Sequence, residues 1–84
     1  MIVINADTFL KRFIGFMFVS REKAADTAIL FMKCNAVHTC FMRFPIDLVY
    51  YNRDMKEIKR VQGLKPWRFS FCYKASSVLE IPSK

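Results

Sequence analysis

The sequence has no long apolar run. Its longest uninterrupted stretch, FIGFMFV at 13–19, falls well short of the roughly 20 residues that span a bilayer as a helix, so no membrane partner is expected. The N-terminal MIVINADTF lacks both a basic start and an extended apolar core, so no secretion signal is expected either. Cysteine is sparse: three residues with no CxxC spacing fit a reducing compartment better than a disulfide framework, and the expected location is cytoplasmic. Internal repeats, low-complexity tracts and linkers are missing too. With 84 residues there is room for a single domain, 1–84.

What the chain has in quantity is apolar and basic. Hydrophobic residues make up 54% and aromatics 15%, with nine phenylalanines. A domain this short buries only about 60% of the surface its unfolded chain exposes, so some of these side chains are expected at the surface as an interface or ligand patch. The net charge is +7 and uneven: residues 1–42 carry five basic and three acidic groups, residues 43–84 nine and four. The second half is therefore the place to look for an anionic partner, although basic side chains also keep a greasy domain in solution.

Ile2 to Ile4 predict a short strand, and Asn5-Ala6-Asp7-Thr8 supplies side-chain oxygens suited to a helix cap. Leu10, Phe13, Ile14 and Met17 then recur at helical spacing, which predicts one short amphipathic N-terminal helix, followed by a polar turn at Ser20–Lys23. AILFMKC at 28–34 and IDLVYY at 46–51 predict buried strands on either side of Pro45. Asn52-Arg53-Asp54 has the composition of a tight turn, and KEIKRVQ at 56–62 reads as the return strand of a hairpin. GLKPWR at 63–68 is expected to be a loop, with further strands at 69–73 and 77–81. Five or six strands and a single helix indicate a small, mainly β sandwich or barrel.

The reactive residue types concentrate in NAVHTCFMRFPID at 35–47, which holds the single histidine. If 34–42 is extended, Cys34, His38, Cys40 and Met42 share a face. Structural zinc sites, however, draw on paired ligands two to four residues apart on a turn, and no such cysteine pair exists, so no metal and no other cofactor is expected. An enzyme using His38 as acid or base with Cys40 or Asp47 is an alternative, but it lacks an evident third orienting group and a glycine-rich oxyanion loop. RFIGFMFV at 12–19 matches an RNA-reading strand at Arg12, Gly15 and Phe16 and departs from it at Phe13 and Ile14. A weakly nucleic-acid-associated basic protein is thus a further alternative that the sequence does not favour. The leading reading is non-catalytic: His38, Met42, Arg43, Asp47, Lys65, Trp67 and Arg68 form a basic and aromatic surface for a small anionic or peptide-like partner. In that reading Asp47 orients Arg43, and Trp67 offers a stacking face.

The same positions carry a family resemblance. Thr8, Arg12, Gly15 and Met17, then His38, Met42, Arg43 and Asp47, then Lys65-Pro66-Trp67-Arg68 and the ending VLEIP at 78–82 resemble the pattern of the domain of unknown function 192 family, small prokaryotic proteins. The resemblance implies a compact, jelly-roll-like sandwich or barrel with a short helix near the N-terminus, and it implies no activity. Members of that family usually continue through a glycine into a last strand, whereas this sequence stops at Ser83-Lys84. A missing terminal strand would expose a sheet edge, from which self-association or a marginal fold is expected.

Overall fold

The structure, a computed structural model, describes residues 2–5, 21–24 and 26–83. Among the described residues seven strands form two sheets: β1 (Ile2–Asn5), β2 (Thr27–Met32), β3 (Ala36–His38), β4 (Ile46–Tyr51), β5 (Glu57–Leu64), β6 (Phe69–Phe71) and β7 (Ser77–Pro82). Five of them build a large sheet in the order β1-β2-β7-β4-β5, and β3 and β6 pair as a separate two-stranded ribbon. β1 lies parallel to β2, whereas the other pairings are antiparallel. The fold is mainly β as expected, but the sheets do not close into a barrel. The helix expected over the Leu10–Met17 pattern lies outside the described residues. The expected polar turn at Ser20–Lys23 is instead met by a single helical turn, Arg21–Ala24. Among the described residues no helix is long and apolar enough to cross a membrane.

The central strands follow from their side chains. In β4, Ile46, Leu48 and Tyr50 alternate onto one face and are fully buried, meeting Val78 of β7 and Ile29 and Phe31 of β2. Burying each such side chain contributes about 1.5–3 kcal/mol. Val37 of β3, with Met42 and Phe44 beyond it, closes the same core from the ribbon side, and Cys34 and Cys72 pack against it. The Asn52 turn forms as its composition requires: Oδ1 of Asn52 accepts the backbone N–H groups of Asp54 (2.9 Å) and Lys56 (3.1 Å).

The differences from the sequence expectation lie in the short elements. Extended structure over 34–42 shrinks to Ala36–His38, because the chain turns at Thr39–Met42 with Phe41 in the left-handed region at φ 64°. The strand over 28–34 ends at Met32, where Lys33 has φ 53°. Gly63, at φ 65°, continues β5 as far as Leu64, which leaves a loop of only Lys65–Arg68. The strand over 69–73 stops at Phe71 and turns through Tyr73 and Lys74. β7 sits between β2 and β4, so the edges of the described large sheet are β1 and β5.

Candidate functional site

Thr39 is fully buried and organises one end of the ribbon. Its N–H donates to the Arg68 carbonyl at 2.8 Å, and its carbonyl accepts the Trp67 N–H at 3.0 Å and the Met42 N–H at 3.2 Å. Its hydroxyl donates to the Lys65 carbonyl at 2.7 Å and accepts the Arg68 N–H at 2.8 Å. One threonine therefore ties the Thr39–Met42 turn to the Lys65–Arg68 loop. That lacing holds Trp67 at φ 63°, with its ring tilted 59° against Phe41 at a centroid distance of 4.7 Å. Trp67 remains 58% exposed.

From Trp67 onward the aromatics alternate: Phe69, Phe71 and Tyr73 are 66%, 58% and 75% exposed, while the residues between them turn inward. Ser70 is buried, its Oγ accepting the Tyr50 hydroxyl at 3.0 Å. Cys72 is half-buried against the core, and its N–H donates to the Asn35 carbonyl at 2.8 Å. Burial holds the Tyr50 phenol above its ordinary pKa, an effect that the Ser70 hydrogen bond opposes. His38 stands opposite Phe69 and Ala36 opposite Phe71 in register, so these four side chains share one face of the ribbon.

Beside this face, between β5 and β6, runs a groove of about 500 Å³ lined by Ile58, Lys59, Phe69, Phe71, Tyr73 and Lys74, with no carboxylate among the described residues of its wall. Nζ of Lys59 donates to the Phe71 carbonyl at 2.9 Å and sits 5.8 Å from the Tyr50 ring centre. Nζ of Lys74 lies 5.9 Å from the ring centre of Tyr73. The neighbouring Glu57 is engaged by Arg60 at 2.6 and 3.1 Å, and this hydrogen bonding holds its carboxyl below the ordinary range.

Of the seven residues singled out from sequence, the structure gathers His38, Lys65, Trp67 and Arg68 around the Thr39 end of the ribbon. Nδ1 of His38 accepts the Cys40 backbone N–H at 3.2 Å. Met42 is 5% exposed and belongs to the core. Asp47 does not orient Arg43: its Oδ1 accepts the Gly63 N–H at 2.8 Å and the Ser83 hydroxyl at 2.6 Å. Arg43 is exposed. Among the described residues no group of three His, Cys, Asp or Glu side chains converges to hold a metal ion.

Sequence reasoning missed Phe69, Phe71, Tyr73, Lys59 and Lys74. The available signal was the period-two pattern W-x-F-x-F-x-Y at 67–73, with a small or polar residue at 70 and 72. It also missed Glu80, which is 3% exposed and faces Ile29 and Leu48 in register. Oε1 of Glu80 has no hydrogen-bond partner among the described residues, and burial pushes the carboxyl up to about 8.

The fold has solved counterparts. A protein of unknown function from Novosphingobium aromaticivorans superposes with a TM-score of 0.82 at 16% identity, over 96% of this chain and 62% of that one. A Sinorhizobium meliloti protein described as a "putative transcription regulator" gives a TM-score of 0.82 at 19% identity, over 96% and 67%. A UPF0127 protein of Pyrococcus furiosus is 42% identical over 66 residues, which is 76% of this chain and 56% of that protein. The chain thus spans little more than half the length of that curated relative. The family model described as "Uncharacterized ACR", DUF192, matches residues 2–84, and the chain belongs to that family.

Proposed function

We propose that the protein is a small binding module, not a catalyst, whose working surface is the outer face of the β3–β6 ribbon together with the Lys65–Arg68 loop. Its partner is anionic or peptide-like. The observation that carries this reading is the exposure of Trp67, Phe69, Phe71 and Tyr73 beside a groove whose wall holds, among the described residues, two lysines and no carboxylate. Large aromatics left in water are unfavourable unless a partner covers them, and exposed patches of this kind mark interaction sites. Lys65 and Arg68 add positive charge at the Thr39 end, where charge-assisted hydrogen bonds to an anion are about twice as strong as neutral ones. Arg43 extends that charge, whereas Met42 and Asp47 hold the scaffold.

Thermal unfolding in the presence of a panel of anions, including pyrophosphate and an acidic peptide, tests the reading, because a ligand that binds only the folded state raises the midpoint. At least one anion is expected to stabilise the parent and to lose that effect in Trp67→Ala and in Lys65→Gln/Arg68→Gln. Equal shifts in parent and variants, or none anywhere, would refute it.

A further inference from the structure

We infer that the groove between β5 and β6 binds single-stranded nucleic acid, with bases stacked on Phe69, Phe71 and Tyr73 and phosphates held by Lys59 and Lys74. This inference rests on the binding-module reading and names its partner.

Three features of the groove select this chemistry. The first is shape. Phe69, Phe71 and Tyr73 are exposed rings on a strand and the turn that follows it, not the walls of a deep pocket, so they offer faces to a planar group more readily than sockets to a side chain. The ring centres of Phe69 and Phe71 lie 6.1 Å apart with their planes tilted by 38°, so the two rings do not form a parallel slot and each offers its face to a separate base. Two-residue steps along an extended strand repeat that interval at about 6.7 Å, which suits successive unstacked bases.

The second feature is charge. Among the described residues the cations in the wall are both lysines, Lys59 with its Nζ at the Phe71 carbonyl and Lys74 with its Nζ beside the exposed Tyr73 ring, so each ammonium lies next to one of the exposed aromatics as phosphate lies next to base along a strand. Lysine acts on phosphate as a point charge and does not impose the planar, two-pronged geometry with which arginine reads a carboxylate. Polar groups able to read base edges are scarce in the wall: Ser70 Oγ is turned inward to Tyr50. Binding should therefore tolerate any sequence.

The third feature weighs against an added peptide strand. A peptide pairing with the edge of β6 that no described strand covers would need the Phe71 carbonyl, and Lys59 Nζ already occupies it at 2.9 Å. Stacking leaves that bond intact.

The test is a fluorescence-anisotropy titration of the full chain with labelled oligothymidylate and oligouridylate of about twelve nucleotides, against a duplex of the same length and a labelled oligoglutamate peptide. Both single strands are expected to bind at least tenfold more tightly than the duplex. Affinity should fall as salt rises, with a log–log slope near −1.4 for two phosphate contacts, and Lys59→Gln/Lys74→Gln should flatten it. Tyr73→Ala and Phe71→Ala should each weaken binding by about tenfold. Tyr73 lies in an exposed turn, so its replacement leaves the fold intact, and Phe71→Tyr should restore binding. Tighter binding of oligoglutamate than of either strand would overturn the inference while leaving the binding-module reading standing, and so would single-strand binding that ignores both aromatic replacements. If neither nucleic acid nor peptide binds and the anion panel shifts no unfolding midpoint, both fail.

Discussion

The hydroxyl of Tyr50, on β4 of the large sheet, donates a 3.0 Å hydrogen bond to Oγ of Ser70 on β6 of the ribbon, and both residues are buried. The bond ties the ribbon that carries the exposed aromatics to the core strand beneath it. Removing one partner strands the other: Ser70→Ala leaves a buried phenol unsatisfied, at a cost of about 1–3 kcal/mol, and Tyr50→Phe does the same to the serine. The double replacement removes both polar groups and should cost less than the sum of the two single ones. Urea unfolding of the four proteins measures this directly, and additive losses would show that the two residues are not coupled.

Thr39 makes a more local prediction. Thr39→Val keeps the shape of the side chain and deletes the oxygen that bonds the Lys65 carbonyl and the Arg68 N–H. The Lys65–Arg68 loop should loosen, with stability down by about 1–3 kcal/mol. The emission of Trp67, the single tryptophan, should shift, and the Arg68 amide should exchange with solvent faster. Unchanged exchange at Arg68 would mean that the backbone bonds of Thr39 suffice.

The longer strands were legible because IDLVYY and SVLEI are rich in branched and aromatic residues between turn signals. The Asn52 turn was legible because one side-chain oxygen closes it locally. The ribbon was not. Its strands are three residues each, too few to show a period, and the bonds that hold its Thr39 end join residues 26 and 29 positions apart. Phe41 and Trp67 take up positive φ although neither is glycine, an outcome of that lacing with no local sign in the sequence. At the site, Trp67 was recognisable from its place between Pro66 and Arg68. Phe69 and Phe71 were read simply as strand residues, since apolar composition reveals how much greasy surface exists but not whether anything covers it.

Met42 and Arg43 are neighbours in the family-marking motif and have opposite fates. Met42 is packed in the core, so Met42→Ala should cost about 2–5 kcal/mol through lost burial and the cavity left behind. Arg43 is exposed, and Arg43→Ala should change stability by no more than about 0.5 kcal/mol while weakening any anion bound at the Thr39 end. Chemical unfolding paired with a binding titration separates the two. A stability loss in Arg43→Ala equal to that in Met42→Ala would place Arg43 in the scaffold and remove it from the binding surface.

Glu80 gives the fold a pH dependence of defined sign. Burial raises its carboxyl from 4.5 to about 8, and it faces Ile29 and Leu48, neither of which titrates. Tyr50, which burial holds above its ordinary range, stays neutral throughout that window. Between pH 4.5 and 8 the folded chain keeps a proton on Glu80 that the unfolded chain has released, so stability falls as pH rises through this range. The contribution is complete below pH 4.5 and gone above about 8, a difference on the order of 5 kcal/mol. Glu80→Gln is uncharged at every pH and close in shape to the protonated acid. It should match the parent near pH 5, exceed it near pH 9, and remove most of the slope between. Unfolding midpoints measured across that range decide the matter: parallel curves for parent and variant would show that Glu80 does not hold its proton in the fold.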